Sequence, residues 1–559
     1  MMKNKFIHTI GIMLCMLPSV AQQWGDYTLY SVQNTSSTFL LDTNGTTVKT
    51  WTHATSAKTG YSTYMLPGGT LVRAVTRTGN SFTGGPICGQ IQKVDYNGNV
   101  TWDYVYSTTD YCTHHDIHPM PNGNVLVIAY ERKTAAQVTQ AGCSQSIEMW
   151  PDKIVEIQPT GATTGTVVWE WHAWDHLVQN VNAAKDNYQS SISAHPELLN
   201  INQGTQKDWL HMNGLDYNPI LDQISFSCHN FSEIFVIDHS TTTAEAASHS
   251  GGNSGKGGDI LYRWGKPTNY GVSGTAVLNV VHDAHWIPEG VPNAGRLVAF
   301  NNMGTSTKST VDQVDAPKTG YTYSLTSGAY TPTSYTQRLV CTAQGSNMGN
   351  SQQLPNGNQL VCVATAGLMY EVDAAGTTLW SKTATGAVPQ AFRYNQCYVS
   401  NAAPAIPVIT DNGTSLSASL ATTYQWYLNG QLLAGETAQT ITATSDGVYV
   451  VRITDSNGCV YQYSKGFLKG TIPTPTGIQE QAVTSDLLIY PNPGQGLVHL
   501  EYPETGRTKD IRVYDVYGRQ VFQVKDQNTV DLTGMAQGVY YITVSSGDFS
   551  ATQKFLLTN

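Results

Sequence analysis

Short runs of alternating hydrophobic and polar residues, separated by glycine turns, fill most of this chain. One recurring phrase has an apolar residue, a Pro/Asn/Gly turn and a strand, as in MLPGGTLVRAV, MPNGNVLVIAYE and LPNGNQLVCVAT. A second phrase has a strand, a glycine turn and a strand ending in tryptophan, as in IQKVDYNGNVTW and LMYEVDAAGTTLW. Asn-Gly between alternating apolar residues is a strong hairpin signal. The pattern therefore predicts an all-β protein built from antiparallel hairpins.

The two phrases together form a repeating unit of about four strands. Five of the units end in a tryptophan, namely Trp51, Trp102, Trp169, Trp264 and Trp380. A degraded unit between Tyr321 and Cys341 brings the number to about six. Repeated four-strand units are typical of β-propeller blades, so residues 22–403 are predicted to form a six-bladed β-propeller. A β-sandwich is the alternative, but a sandwich has no reason to repeat one four-strand unit.

The repeating pattern ends at residue 403, and different motifs follow. Residues 404–470 contain YQWYLNG and DGVYVV, which resemble the immunoglobulin-like β-sandwich modules of bacterial surface proteins, with Trp426 as the expected core tryptophan. A role as a spacer is the simplest interpretation of this module. Residues 471–485 include TIPTPTG, a Pro/Thr segment expected to be an extended linker.

Residues 486–559 carry an ordered set of short motifs. They are Tyr490-Pro491-Asn492-Pro493, Val513-Tyr514-Asp515 with Gly518-Arg519, Gly538-Val539-Tyr540-Tyr541, and Lys554 near the end. In this order they resemble the small β-sandwich C-terminal sorting domain of the type IX secretion system. The resemblance implies export across an outer membrane, the secretion machinery as a partner, and no catalytic role for this module.

The other end of the chain also indicates export. Lys3 and Lys5 precede an apolar run from Phe6 to Leu17, and the small-residue triplet Ser19-Val20-Ala21 follows. This order is typical of a secretory signal peptide, here residues 1–21. Elsewhere no apolar run approaches the roughly 20 residues needed to span a bilayer. We expect a secreted or outer-membrane surface-attached protein that passes through the periplasm and has no transmembrane segment.

Composition narrows the partners and the compartment. The formal net charge is −10 and the chain contains no run of basic residues, which argues against nucleic acid as a partner. Eight cysteines remain after the signal peptide, and none forms a Cys-X-X-Cys pair. In an oxidising compartment an even number indicates mostly disulfides, although the pairing cannot be deduced and at least one cysteine is expected to be free.

Thirteen of the fifteen histidines lie between the signal peptide and the linker, and several of them are clustered. The clusters are HHDIH from His114, WEWHAWDH from Trp169, DWLHMN from Asp208, and HDAH from His282. Imidazoles beside carboxylates suit a metal, but adjacent strand residues face opposite sides, so His114 and His115 are not expected to share one site. We therefore predict no catalytic metal and no cofactor, although a bound divalent ion stays compatible with the sequence.

The same phrases, in the same order, resemble the arylsulfotransferase family. The elements are HHDIHPMPNGNVLVIAYE, DWLHMNGLDYNP, VHDAHWIP followed by GRLVAFNN, and GSNMGNSQQLPNGNQLV, within about residues 61–382. The resemblance implies a six-bladed propeller that moves a sulfuryl group from an aryl sulfate to a phenol through a histidine. By position, His211 and His282 match two site histidines of the family, and Asn213, Asn302 and Lys308 are expected to bind substrate.

Two family features are missing from the sequence. Lys308 is the nearest cation where the family has an arginine, and no histidine follows His285 before the linker, where the family's nucleophile belongs. The stretch around Ser346 and Met348 has none. The nucleophile is therefore sought among His115, His229 and His285. The alternative from another class is a non-catalytic secreted propeller that binds a glycan, a protein or a surface ligand.

Overall fold

The computed structural model describes residues 23–458, 460–470, 487–490, 492, 494–501, 509–515, 520–535, 537–546 and 549–558. The predicted signal peptide and linker, Cys459, Pro491 and Pro493 of the YPNP motif, and both Gly518 and Arg519 lie outside these residues. The chain divides into two compact units, one reaching residue 473 and the other beginning at residue 474. None of the described helices is long and apolar enough to cross a membrane.

Between residues 27 and 394 the chain forms mostly four-stranded antiparallel sheets. The second sheet comprises Lys58–Met65, Leu71–Thr76, Gly89–Val94 and Val100–Val105. The third comprises Tyr111–Pro119, Val125–Glu131, Asp152–Pro159 and Gly165–His172. The fourth comprises Met212–Asn218, Gln223–Cys228, Glu233–Asp238 and Tyr262–Trp264. The fifth comprises Val281–Trp286, Leu297–Asn301, Thr310–Val314 and Gln337–Val340. The sixth comprises Asn350–Gln353, Gln359–Val363, Leu368–Val372 and Thr378–Thr383.

The first sheet joins the two ends of this region. It comprises Tyr27–Ser31, Ser37–Leu41, Thr47–Thr52 and, from the far end, Ala391–Tyr394. Tyr27 pairs with Tyr394 and Tyr30 with Ala391 in antiparallel register. The Asn350 side chain then ties this last strand to the sixth sheet by donating to the Ala391 carbonyl at 3.0 Å. The first and last sheets are therefore joined by both chain ends.

Hydrophobic clusters pack each sheet against the next one. Separate clusters join the first sheet to the second, and so on in turn, and a further cluster joins the sixth sheet back to the first. The repeat-ending tryptophans are all buried in these clusters. Several indole N–H groups also donate to the neighbouring unit, for example Trp51 to the Asp95 carbonyl and Trp102 to the Thr164 carbonyl. The six sheets thus form a closed ring.

Helices and minor strands lie in the connections of the ring. The α-helices are Ala135–Gln140, Thr243–Ala246 and Gln396–Ser400, and the 3-10 turns are Ala173–Asp175, Ile192–Ala194, Pro267–Tyr270 and Ala364–Ala366. Three two-stranded pairs add Leu177–Val178 with Leu199–Asn200, Lys318–Thr319 with Thr322–Tyr323, and Leu325–Thr326 with Ala329–Tyr330.

Residues 409–469 form two further sheets around Trp426, which is fully buried. One has the strands Ile409–Asp411, Ser415–Ala418 and Thr440–Thr442. The other has Tyr424–Leu428, Gln431–Leu432, Gly447–Thr454, Tyr461–Tyr463 and Phe467–Lys469. The core role predicted for Trp426 is confirmed.

The second compact unit has a three-stranded and a four-stranded sheet around one core. The first consists of Leu488–Tyr490, Leu497–Glu501 and Thr529–Asp531. The second consists of Asp510–Asp515, Gln520–Lys525, Gly538–Ser546 and Phe549–Leu557.

The cysteines correct one expectation from the sequence. Six of them are buried free thiols, namely Cys88, Cys112, Cys143, Cys228, Cys341 and Cys362. Cys397 is disulfide-bonded. The prediction that most cysteines pair was therefore wrong, because these thiols are buried apart from one another and act as small hydrophobic core residues.

Candidate functional site

The first strands of four consecutive sheets carry a β-bulge at matching places. The register shifts fall between Thr59 and Thr63, Thr113 and Ile117, Met212 and Gly214, and His282 and His285. Bulges interrupt the alternation of a strand and turn side chains to a new direction. The first strands of neighbouring sheets also contact one another, so the four bulges lie close together although they are far apart in sequence.

Four histidines from three sheets form a continuous row of imidazole rings at these bulges. The ring centroids of His115 and His211 are 4.6 Å apart, those of His211 and His229 are 5.1 Å apart, and those of His229 and His282 are 5.7 Å apart. The backbones of His115 and His211 have φ values of 49° and 54°, in the left-handed region. Such a conformation is costly for a non-glycine residue and tends to concentrate at functional sites. We call these four residues the histidine row.

His211 lies in the middle of the row and is held by a carboxylate. Its Nδ1 is 2.6 Å from Asp208 Oδ2, and its side chain keeps 19% exposure. Although burial opposes ionisation of Asp208, the neighbouring imidazole holds the pKa of that carboxyl below its ordinary value. An ionised carboxylate only accepts hydrogen bonds, so Nδ1 carries the proton and the lone pair of His211 resides on Nε2.

His282 has both ring nitrogens engaged. Its Nδ1 donates to Asn302 Oδ1 at 2.7 Å, and its Nε2 accepts the Met348 backbone N–H at 3.1 Å. Asn302 donates in turn to the carbonyls of Gly345 and Met348 at 3.0 and 2.8 Å. Burial holds the pKa of His282 well below its ordinary value. The ring is therefore a neutral, fixed part of the row, and its lone pair is already used.

His115 is in contact with a second, deeper histidine. Its Nδ1 lies 2.8 Å from His114 Nδ1, and His114 Nε2 lies 2.7 Å from Asp152 Oδ1. The expectation that His114 and His115 point apart was therefore wrong, because the bulge in this strand suspends the alternation. Burial lowers the pKa of both imidazoles and raises the pKa of the Asp152 carboxyl well above its ordinary value. His114 therefore contacts both Asp152 and His115, although its Nε2 and the Asp152 oxygens are not aligned as a hydrogen bond.

His229 completes the accessible part of the row. Its Nδ1 is 3.0 Å from Asn230 Oδ1, and its backbone N–H donates to the His211 carbonyl at 3.1 Å. Burial and the nearby His211 lower the pKa of this half-buried imidazole. Because the amide oxygen accepts from Nδ1, the Nε2 of His229 carries a lone pair.

Three of the other predicted site residues lie outside the row. His285 turns instead toward Asp283, whose Oδ2 is 3.2 Å from its Nδ1; burial opposes the charge, but this carboxylate raises the pKa of His285 to about 9. Lys308 donates through Nζ to the Thr342 carbonyl. Asn213 uses both ends of its amide, donating to the Val281 carbonyl and accepting from Ser227 Oγ, and so joins the fourth and fifth sheets.

Several residues of the site were missed from the sequence. Asp208 and Asp152 hold the histidines, and the Tyr61 ring packs against His115 at 5.3 Å between centroids. Asp208 could have been found, because it lies three residues before His211 within DWLH. Asp152 and Tyr61 come from other strands and carry no local signal. Among the described residues, no arginine or lysine is bonded to any histidine of the row.

A separate group of side chains has the ligand geometry that could hold a metal ion. Among the described residues, the group whose three ligand atoms lie within 4.8 Å of one another is His176, His249 and Asp259. None of these residues belongs to the row.

Comparison with solved structures gives similarities of low identity. A protein of unknown function from Bacteroides caccae is 11% identical, with a TM-score of 0.39, over 66% of this chain and 98% of the other. A periplasmic gluconolactonase from Pseudomonas aeruginosa is 12% identical, with a TM-score of 0.36, over the same shares. A virginiamycin B lyase from Staphylococcus aureus is 9% identical, with a TM-score of 0.31, over 72% and 94%. No curated protein matches the chain.

Family models match both parts of the chain. The secretion system C-terminal sorting domain matches residues 488–558, which makes the protein one that is secreted or attached at the outer surface. The arylsulfotransferase (ASST) model matches residues 17–369, more than half of the 559 residues, and covers the whole histidine row. The chain therefore belongs to the arylsulfotransferase family and ends in a type IX secretion sorting domain.

Proposed function

We propose that this protein transfers a sulfuryl group from an aryl sulfate to a phenolic acceptor, with His211 as the nucleophile. The observation that carries the proposal is the position of His211, oriented by Asp208 at 2.6 Å and flanked by two imidazole rings. Family membership supports the reaction class. We further propose that the ring of six sheets, within residues 22–403, is a six-bladed β-propeller that holds the row.

The choice of nucleophile follows from where the lone pairs are. Attack on sulfur needs an unprotonated imidazole nitrogen that faces free space. The lone pair of His282 accepts the Met348 N–H, and His285 is charged beside Asp283. His211 Nε2 is free, and a carboxylate behind the ring stabilises the positive charge that forms on attack, as in serine hydrolase triads.

The reaction has two half-steps. In the first, His211 Nε2 attacks sulfur, the bond between sulfur and the phenolic oxygen breaks, and the phenolate leaves. We propose that Asp152, His114 and His115 then act as a relay, in which one proton passes from Asp152 to the phenolate once the 2.7 Å contact between Asp152 and His114 aligns. In the second half-step, an acceptor phenol attacks sulfur and the sulfur–nitrogen bond breaks. The proton of the acceptor phenol returns to Asp152 along the same relay. The raised pKa of Asp152 supports its role as the proton store.

Met348 accounts for the departure from the family pattern. It lies in the stretch where the family's nucleophilic histidine was sought, and its backbone N–H is bonded to His282. A thioether has no nitrogen to sulfate, so the nucleophile must come from the remaining row. Asn302 and Asn213 act in this proposal as positioning residues, since their amides are fully used by the protein.

The test is release of nitrophenol from nitrophenyl sulfate by the full-length secreted protein. Release should speed up when a second phenol is added, and the kinetics should be ping-pong. His211→Asn should abolish turnover, and a peptide containing sulfated His211 should be found by mass spectrometry in the wild type. His195→Gln, at a half-exposed histidine paired with Glu197, is the control and should keep full activity. Wild-type protein that is folded but releases no phenol from a panel of aryl sulfates would refute the proposal.

A binding role is the second candidate, and a cavity favours it. A space of about 550 Å³ lies between the sheet ring and residues 404–470, and its polar lining includes Asn122, Glu156, His239, Tyr463 and Lys465. Amides, carboxylates and an aromatic ring together suit a glycan. Glycan binding on an array that survives His211→Asn, in a protein without sulfuryl transfer, would support this function instead.

The termini complete the proposal. We propose that residues 1–21 are a signal peptide, 404–470 an immunoglobulin-like spacer, 471–485 a linker and 486–559 the sorting domain, recognised by the type IX secretion machinery. The match of the sorting model to residues 488–558 supports this division.

A further inference from the structure

Two histidines and an aspartate from two loops meet at a second place, away from the histidine row. His176 follows the turn Ala173–Asp175, His249 follows the helix Thr243–Ala246, and Asp259 precedes the strand Tyr262–Trp264. Asp259 Oδ1 lies 2.9 Å from His176 Nδ1 and 2.7 Å from His249 Nδ1. One carboxylate oxygen thus faces two imidazole nitrogens.

The His176 ring is held in place between two oxygen acceptors. Its Nε2 is 2.8 Å from the Ala246 carbonyl, which only accepts, so this nitrogen donates to it. The Nδ1 faces Asp259 Oδ1 at 2.9 Å. The side chain of His176 has no solvent exposure, and its ring stacks on Trp171 with 5.5 Å between centroids. The three ligand atoms of His176, His249 and Asp259 all lie within 4.8 Å of one another.

We propose that His176, His249 and Asp259 bind a divalent transition metal of the zinc class. Two imidazole nitrogens and one carboxylate oxygen are a ligand set that zinc accepts, with water in the fourth position. The bond from His176 Nε2 to the Ala246 carbonyl is the outer-shell contact that usually orients a metal-ligating histidine.

The geometry needs only a small adjustment. Metal–ligand distances of about 2.0–2.2 Å place tetrahedral ligand atoms roughly 3.3 Å apart, so the two short contacts open by about half an ångström. The His249 side chain is 63% exposed and is free to make that shift. The same exposure gives the ion a path from solvent.

The ion would fasten a glycine-rich loop, residues 247–259, to the body of the protein. Gly258 passes directly beneath His176, since a Cβ there would lie 2.6 Å from His176 Nε2 and 1.9 Å from the Ala246 carbonyl oxygen. Lys256 is exposed within this loop. The proposed metal site is thus structural, and it does not depend on whether the histidine row transfers sulfuryl groups.

The test uses full-length protein stripped of metal with a chelator and titrated with zinc. One zinc ion should bind per chain, the zinc absorption edge should report two imidazoles and oxygen, and tryptic cleavage after Lys256 should slow. His249→Ala should weaken binding at least tenfold and remove the protection. His499→Ala, at an exposed histidine of the second unit, is the matched control and should bind like wild type.

Three results would contradict the proposed metal site. They are no saturable binding at millimolar zinc, unchanged affinity in His249→Ala, or loss of binding in His229→Asn but not in His249→Ala. The last result would place the ion in the histidine row. Because His249 is exposed, its replacement leaves the fold intact, whereas Asp259→Asn serves only as a second variant with its folding checked by circular dichroism.

Discussion

Replacement of Asp208 by asparagine isolates the part that this carboxylate plays at His211. The two side chains meet at 2.6 Å, and both are partly exposed, at 24% and 19%. Asparagine keeps the size but can present an N–H to Nδ1, which moves the imidazole proton to Nε2 and removes the attacking lone pair. The same exchange in a serine protease triad costs about 10⁴ in kcat. We expect a loss of roughly 10³–10⁴, equal to about 4–5.5 kcal/mol of transition-state free energy.

The assay is single-turnover release of nitrophenol from nitrophenyl sulfate, followed with melting curves of the same samples. The free energy of unfolding should change by only about 1.5–3 kcal/mol, the value of one hydrogen bond to a charged group. Asp222→Asn is the matched control, because Asp222 bonds His239 at 2.7 Å in the same way but lies outside the row. Equal activity of Asp208→Asn and wild type, in a protein that does turn over, would refute His211 as the nucleophile while leaving the reaction class intact.

Three further predictions concern stability and export. Burial opposes charge on His239, but Asp222 and Glu156 raise its pKa to about 9, so its stabilisation is complete below pH ~6.5 and is lost as pH rises through 9. Denaturant titration should show that the free energy of unfolding falls by about 3 kcal/mol over that pH range. In His239→Gln this fall should be absent, and an equal fall in the variant would contradict the assignment to His239. Trp51 is 1% exposed and lies between two sheets, so Trp51→Ala should lower the free energy of unfolding by about 3–5 kcal/mol. A loss below about 1 kcal/mol would show that the ring does not depend on this contact. Deletion of residues 486–559 should leave the protein in the periplasm by fractionation and immunoblotting, and normal amounts in the medium would contradict the sorting role.

The histidine row shows where reasoning from alternation fails. His114 and His115 were expected to face apart, because successive side chains of a regular strand point to opposite sides. The register shift between Thr113 and Ile117, together with φ of 49° at His115, brings their Nδ1 atoms to 2.8 Å instead. The residues HHDIH carry no local signal for a bulge, so the contact between these two side chains could be seen only in the folded chain.

The cysteines show a similar limit. An even number in an exported chain favoured pairing, yet Cys88, Cys228 and Cys362 are buried in different hydrophobic clusters of the ring, each as a free thiol. An oxidising compartment and an even number of cysteines show only that disulfides are chemically possible. A disulfide also requires the two Cβ atoms to lie within about 4 Å of each other. That distance depends on the fold.

By itself the sequence determined the β-rich repeat, the buried tryptophans that end its units and the family of the chain. These features are set by local rules, namely strand alternation, turn residues and short motifs, which act over a few residues. Only the tertiary structure decided which histidines meet, because His115, His211 and His282 come from three sheets and are brought within reach by ring closure and by four bulges. The sequence matched His211 and His282 to the site, but the lone pair on His211 and its absence on His282 follow from Asp208, Asn302 and Met348, whose contacts exist only in the folded chain.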